Sequence, residues 1–192
     1  MLKGFASEVF DSQKVFRQLL AAMANPGRIM DIGIDLESPE FIHPAAGAIL
    51  LALLDFETPL WSDLENDSKE IQWLRFHTGA PYAYAKRNAL FALQTDYDAL
   101  ESVDQFNPGT LEAPHQSTTL IVHTRGVDNN GRIRLTGPGI QTDKFLKLKG
   151  IKESFLHQRT QTLKDYPLGV DLIFVWDHYL VSIPRTTSVE IL

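Results

Sequence analysis

Three segments in the first half of the chain carry hydrophobic residues in patterns that predict helices, although only the first shows regular helical spacing. The first segment predicts a helix from about Ser12 to Ala24, ended by Asn25-Pro26-Gly27. Its apolar positions are Val15, Phe16, Leu19, Leu20 and Met23. The second begins at Pro44 and stays apolar on nearly every face to Leu54, which predicts burial in the core or in a subunit interface. The third runs from about Lys69 to Phe76, with Asp67 or Ser68 available as its cap.

Shorter apolar or β-branched runs, most of them in the second half, predict strands. They are Ala89 to Leu93, Thr118 to His123, Arg132 to Leu135, Val170 to Trp176 and Tyr179 to Ile183. Asp128-Asn129-Asn130-Gly131 is typical of a hairpin turn that leads into the third of these strands. Two further helices are predicted. One is capped by Asp96 and ends at Asn107-Pro108-Gly109, and the other extends from about Ile151 to Leu163.

The order of these elements predicts the fold class. Helices alternate with strands, and at least one pair of strands is antiparallel, as in mixed α/β folds and layered α+β folds. No internal repeat, charge block or low-complexity linker interrupts the pattern. We therefore expect a single domain over residues 1–192.

Charge and composition argue against several kinds of binding partner and exclude cysteine-based chemistry. The 192 residues include 24 acidic residues against 18 Lys and Arg, which argues against nucleic acid or an anionic membrane as the main partner. The chain has no cysteine, and this excludes a thiolate nucleophile and a cysteine-ligated iron–sulfur cluster. Its longest apolar run has ten residues, whereas a membrane helix needs about 20. The N-terminal residues do not resemble a signal peptide, so we expect a cytoplasmic protein.

The segment Trp73 to Gly79 places polar groups among aromatic residues. Arg75 offers a planar fork for a phosphate or carboxylate, and His77 can donate a proton or titrate near neutral pH, so the pair suggests an anion pocket. The alternative is a helix end that is packed by Trp73 and Phe76, with His77 bound to the last helical carbonyls. Sequence alone favours the packed helix end.

A second candidate site follows the last predicted strand. Arg185, Thr186 and Thr187 come after Pro184, which forces an extended exit and keeps these side chains outside the sheet. They suit either an anion site or a contact that pins the C-terminal tail across a subunit boundary, and the residues favour neither. Asp171 lies just inside an apolar strand. A buried carboxylate needs a partner, and Arg185 is a natural one.

Other chemistry receives little support. The six histidines show no H-x-x-x-H or H-E-x-x-H spacing, and no G-x-S-x-G nucleophile motif is present, so we predict neither a metal site nor a catalytic residue. Gly137-Pro138-Gly139 fits a turn better than a phosphate cradle, because Pro138 lacks an N–H. The acid pairs Asp63 with Glu65 and Asp96 with Asp98 are interpreted as solvated surface.

Six sequence blocks, in order along nearly the whole chain, resemble the H subunit of the bacterial carbon–phosphorus lyase core complex. The blocks are Pro26-Gly27, Leu54 to Trp61, Trp73 to Gly79, Leu135 to Ile140, Pro167 to Leu172 and Pro184 to Thr187. Each block alone is weak, but the six together are specific. The chain is therefore identified as a member of that family.

The resemblance implies a cytoplasmic homodimer that joins the G, I and J subunits in organic phosphonate catabolism. In that system the J subunit carries the iron–sulfur cluster and S-adenosylmethionine chemistry, and the I subunit couples phosphonate to a nucleotide-derived ribose. The family fold is similar to a reduced pyridoxal-phosphate-dependent transferase fold without the cofactor site, so no cofactor is expected. The family has no settled active site. Arg75, His77, Arg185, Thr186 and Thr187 match its motifs and are candidates for ligand or subunit contact.

Three functions follow from these observations. The first is a non-catalytic subunit needed for assembly or substrate handling in the lyase core. The second is an independent enzyme acting on a phosphonate or phosphate ester, with His77 as general acid or base beside Arg75. The third is a small-molecule sensor or binding module, with an anion such as a phosphonate or a nucleotide as a possible ligand. The absence of cysteine and of a nucleophile motif favours the first.

Overall fold

Four helices and nine strands alternate along the part of the chain that the structure, a computed structural model, describes, namely residues 2–162 and 166–192. The helices are α1 (Glu8–Ala24), α2 (Pro44–Leu53), α3 (Lys69–Thr78) and α4 (Glu153–Thr162). The strands are β1 (Met30–Asp31), β2 (Leu60–Ser62), β3 (Phe91–Gln94), β4 (Thr119–His123), β5 (Gly126–Thr136), β6 (Lys144–Lys149), β7 (Asp171–Trp176), β8 (Tyr179–Ile183) and β9 (Ser188–Ile191). This alternation confirms the predicted mixed α/β class.

The strands form two sheets. The larger has six strands in the order β1-β8-β7-β4-β3-β2, and the smaller has three strands in the order β6-β5-β9. In the larger sheet β2, β3, β4 and β7 run parallel, whereas β8 and β1 continue it antiparallel. The parallel strands are covered on both faces, which explains why they read as continuous apolar runs rather than as alternating ones.

Each face of the larger sheet has its own hydrophobic core. On one face Leu93, Ile121 and Ile173 pack against α1, α2 and α3. On the other face Leu120, Leu172 and Phe174 pack against α4 and the smaller sheet. Successive side chains of β4 and β7 thus enter opposite cores, so these strands hold the two layers together.

Local signals explain where the helices begin and end. Pro44 is the first residue of α2, as predicted. The hydroxyl of Ser68 caps α3 by accepting from the Ile71 N–H, and Gly79 ends this helix in the left-handed conformation with φ 73°. Helix α4 starts two residues later than predicted, and Leu163, its predicted end, lies outside the described residues. No described helix combines the length and apolar character required to cross a bilayer.

The predicted helix after Asp96 is wrong. The chain forms two short 3₁₀ turns there, over Tyr97–Ala99 and Val103–Gln105. Asp96 accepts from the Asp98 N–H at 2.9 Å, and Ser102 accepts from the Asp104 N–H at 3.2 Å. Each side chain therefore caps its own turn, and these local bonds compete with a continuous helix.

The predicted hairpin turn at Asp128 to Gly131 is also wrong. Strand β5 passes through this segment and pairs with β6 on both sides of it, with a bulge between Asp128 and Ile133. A Cβ atom on Gly131 would lie 1.8 Å from the Leu146 carbonyl oxygen, so the glycine permits close backbone contact rather than a reversal. The turn into β6 follows β5 and contains Gly137-Pro138-Gly139, where a turn was expected.

Candidate functional site

The predicted partnership between Asp171 and Arg185 is present at the amino ends of the parallel strands. Asp171 opens β7, and Arg185 follows the end of the antiparallel neighbour β8, so the register brings them together. The Arg185 backbone N–H donates to Asp171 Oδ1 at 2.7 Å, and Arg185 Nη2 donates to Oδ2 at 2.6 Å. Asp171 is 8% exposed. A buried carboxylate is tolerated here because a cation and a backbone N–H both bind it.

Arg185 also connects this point to a third part of the chain. Its Nη1 donates to the Pro114 carbonyl oxygen at 2.6 Å, and its Nε points at both Asp171 oxygens, at 3.3 and 3.2 Å. These bonds leave two of the five guanidinium N–H groups unengaged by the described residues. A shallow cavity of about 310 Å³ lies beside the pair, and Thr186 and His115 line part of it.

A second arginine binds the same chain segment. Arg159 on α4 is buried and donates to the carbonyl oxygens of Ile183, Pro184 and Thr187 at 3.3, 2.5 and 2.9 Å. Burial lowers the pKa of Arg159 to about 10, although the nearby Asp171 charge opposes the shift. The segment between β8 and β9 is thus held by two arginines, one of them paired with Asp171.

Arg159 was not among the site residues predicted from the sequence. Phe155, Leu156 and Arg159 are all buried on α4, and their spacing of three and four residues places them on one helix face. The spacing of this arginine with two apolar residues could have indicated a buried cation, which requires hydrogen-bond acceptors. The exit segment offers three of them in the form of backbone carbonyls.

The structure gives the threonines of this segment different surroundings. Thr186 lines the shallow cavity beside Arg185. Thr187 is fully buried, and its Oγ1 has no hydrogen-bond partner among the described residues. Thr186 can therefore meet a ligand or another protein, whereas Thr187 contributes its backbone carbonyl to Arg159.

Arg75 and His77 do not join this cluster. Exposed Arg75 on α3 donates from Nη1 to Asn66 Oδ1 at 3.3 Å. His77 Nε2 donates to the Leu2 carbonyl oxygen at 3.1 Å, and the ring packs edge-on against Trp73 with centroids 5.4 Å apart. Residues two apart on a helix point in different directions, so the two side chains do not face each other.

His77 differs in one respect from the predicted packed helix end, namely in its hydrogen-bond partner. Its ring does pack with Trp73 and with Phe76, whose ring centroid is 5.1 Å away. Its hydrogen bond, however, goes to the N-terminal segment rather than to the last carbonyls of α3. Trp73 Nε1 donates to the same Leu2 oxygen at 3.1 Å, so this helix end secures the start of the described chain.

The carboxyl ends of the parallel strands carry a different set of polar residues. His123 ends β4 and is 6% exposed, and its ring centroid lies 4.3 Å from that of His43, which precedes α2. Burial lowers the pKa of His123 to about 3, with a further contribution from His43. Burial also lowers the pKa of His43, although Asp177 opposes that shift. Both rings are therefore neutral at neutral pH.

Asp63 is exposed, as the interpretation of the acid pairs as solvated surface predicts, but its carboxylate also binds the neighbouring loop. This exposed carboxylate follows β2 and accepts from the backbone N–H of Thr95 at 2.9 Å and of Asp96 at 2.7 Å. It also accepts from Gln94 Nε2 at 2.8 Å. Asp63 therefore ties the carboxyl end of β2 to that of β3 and shapes the loop that carries Asp96.

Comparison with known proteins gives one consistent result. The sequence profile of the family described as "Bacterial phosphonate metabolism protein (PhnH)" matches residues 3–190. The "Alpha-D-ribose 1-methylphosphonate 5-triphosphate synthase subunit PhnH" of Rhizobium meliloti (strain 1021) is 34% identical over 187 residues, which cover 97% of this chain and 94% of that protein. The "Putative C-P lyase subunit protein HtxG" of Stutzerimonas stutzeri is 31% identical over 180 residues, which cover 93% of this chain and 86% of that protein.

Breaking the pair of Asp171 and Arg185 is expected to destabilise the fold. Removal of either partner leaves an uncompensated charge, so Asp171→Ala and Arg185→Ala should each lower the free energy of unfolding by about 3 kcal/mol or more. The double variant should lose less unfolding free energy than the two single variants lose in total, because both charges are removed together. Urea denaturation of the four proteins measures the coupling. Lys149→Ala, which breaks an exposed ion pair with Asp128, is the control and should cost at most about 1 kcal/mol. Strict additivity would contradict the assignment.

Acid stability should report the buried His123. The unfolded chain binds a proton at this histidine near pH 6.5, whereas the folded protein does so only near pH 3. Between these values the unfolded state alone is protonated, so stability should fall by about 1.4 kcal/mol per pH unit as the pH drops. Denaturation of His123→Gln between pH 7 and 4.5 should show a shallower fall than the unaltered protein. The exposed His157 provides the control variant His157→Gln, which should keep the original slope. Equal slopes for all three proteins would refute this role.

Proposed function

The chain belongs to the bacterial phosphonate metabolism family PhnH, and from this membership we propose that it serves as a subunit of the carbon–phosphorus lyase machinery in organic phosphonate catabolism. One observation carries the proposal: the family profile extends over residues 3–190, so the likeness is not confined to a shared motif. Both relatives bear names that describe subunits, and this chain aligns with most of their lengths.

Within that machinery we assign the chain a role in assembly or substrate handling rather than in bond cleavage. We propose a homodimer in the cytoplasm that associates with the G, I and J subunits, as the resemblance implies. An exposed apolar stripe on α1 supports contact with other proteins. It comprises Val9, Phe16 and Leu20, which recur at helical spacing on one side of the helix while Val15 and Leu19 enter the core.

For the architecture we propose one domain over residues 1–192, in a reduced form of the pyridoxal-phosphate-dependent transferase fold. Support for one domain comes from the six-stranded sheet, because both hydrophobic cores are built on its two faces. The cavity at the carboxyl ends of the parallel strands does not fit the cofactor. Pyridoxal phosphate needs a lysine for attachment and cationic donors for its phosphate, and neither occurs among the lining residues Glu40, Phe41, His43, Thr95, Asp96 and His123.

We assign Arg185 and Asp171 a positioning role and Thr186 a contact role in this subunit. Asp171 already balances the charge of Arg185, so the described lining of the cavity beside them lacks the free cation that a tightly bound phosphonate requires. The two remaining guanidinium N–H groups and Thr186 suit carbonyl oxygens of another protein. Arg75, which is exposed on α3, is a second candidate for contact with a partner.

The alternative of an independent enzyme or anion module built on Arg75 and His77 has weaker support. A general acid or base must reach the reacting proton, and one ring nitrogen of His77 is already engaged by Leu2. Arg75 bonds to Asn66 at the surface and does not face His77. The subunit role therefore agrees better with these positions.

Affinity isolation tests the proposal in a host that lacks its own copy and depends on methylphosphonate for phosphorus. The tagged chain should restore growth and retain several partner chains, whereas the isolated protein should convert neither methylphosphonate nor p-nitrophenyl phosphate. Turnover by the pure protein, or growth without any retained chain, would contradict the subunit role.

Arg75→Ala and Arg185→Ala extend this experiment, with Lys147→Ala on the exposed side of β6 as the matched control. Both arginine variants should retain less of the partner chains than the control variant. Circular dichroism must show that each variant is folded. If both assemble fully and support growth, neither arginine serves in a ligand site or a partner contact.

A further inference from the structure

A cavity of about 330 Å³ lies at the carboxyl ends of the parallel strands, and neither Arg185 nor Thr186 lines it. Three parts of the chain line it: the segment before α2, the loop after β3 and the end of β4. Its lining residues are Glu40, Phe41, His43, Thr95, Asp96 and His123. Arg185 lies beyond the opposite ends of these strands, about 15–20 Å away for strands of five or six residues.

The lining is rich in hydrogen-bond acceptors, and none of these six residues carries a permanent positive charge. Glu40 and Asp96 contribute carboxylates, and Thr95 contributes a hydroxyl. The His43 and His123 rings are neutral, because burial lowers both pKa values, and a neutral imidazole offers one acceptor nitrogen. Asp177 adds a further negative charge near His43. The site therefore favours a ligand that donates hydrogen bonds and bears positive charge.

Two further features favour a ligand at this place. Buried His123 Nε2 has no hydrogen-bond partner among the described residues, which is uncommon for a buried polar atom. Phe41 is 59% exposed at the cavity, and an aromatic face attracts cations within about 6 Å. Open α/β sheets also bind ligands beyond the carboxyl ends of their strands.

We propose that this cavity binds a small organic molecule through its ammonium group, with Glu40 and Asp96 as the charged acceptors and the His43–His123 pair beside them in the lining. Helix α2 begins nearby, and the N-terminus of a helix acts like roughly half a positive charge, which attracts anions. The two carboxylates outweigh this effect. In addition, the Ala45 N–H is already bonded to the Asp177 carbonyl oxygen, and Pro44 has no N–H.

Three probes of similar size and different charge test the proposal on the full chain at pH 7.5: ethanolamine, ethylene glycol and glycolate. The histidine ring resonances of His43 and His123 are followed by NMR during titration. Ethanolamine should shift both sets of signals saturably, and ethylene glycol should bind at least about tenfold more weakly because it lacks the charge-assisted bonds. Glycolate should leave the signals unchanged. Equal binding of glycolate, or no response to ethanolamine, would overturn the proposal.

Conservative variants distinguish binding of ethanolamine in the cavity from nonspecific attraction of a cation to an acidic protein. Asp96→Asn and Glu40→Gln should each weaken ethanolamine binding about tenfold, and the first of these substitutions keeps a side-chain oxygen that can cap the Asp98 N–H. Glu37→Gln removes the same charge from an exposed residue outside the cavity and should leave the affinity unchanged. If Glu37→Gln weakens binding as much as the other two, the attraction is non-specific and the assigned site is wrong. This outcome is independent of whether the chain assembles with partner subunits.

Discussion

The buried ion pair of Asp171 and Arg185 is the constraint on which the arrangement of the two sheets depends. It lies where β8 leaves the larger sheet and the chain turns toward β9 of the smaller one. Arg159 binds three carbonyl oxygens of the same short segment from α4. Because β9 pairs with β5, the position of this segment determines whether the smaller sheet has its third strand.

The two ends of the parallel strands have different chemistry. At the amino ends, charges are paired and the chain is held by arginines, so this region is suited to fixed geometry and to contact with other proteins. At the carboxyl ends, neutral histidines and carboxylates surround a cavity. The proposed partner contact and the proposed ammonium site therefore lie at opposite ends of the same strands.

Several features were predictable because they depend on neighbouring residues. The cap at Ser68, the stop at Gly79 and the continuous apolar strands follow from local chemistry. The partner of Asp171 was predictable because a buried carboxylate needs a cation. Strand β6 was missed although Leu146 and Leu148 alternate with lysines, and β9 was missed because only four residues form it. The contact of His43 with His123 depends on tertiary packing of segments 80 residues apart, which no local pattern encodes.

Amide hydrogen exchange of Asp171→Asn tests the central constraint most directly, because asparagine keeps the shape of the side chain and removes its charge. If the ion pair holds the exit segment, the amides of Ser188–Ile191 should exchange at least about tenfold faster than in the unaltered protein, and by a larger factor than those of Thr119–His123. Equal acceleration of exchange in β4 and β9, or unchanged exchange in β9, would show that the smaller sheet forms independently of the buried carboxylate.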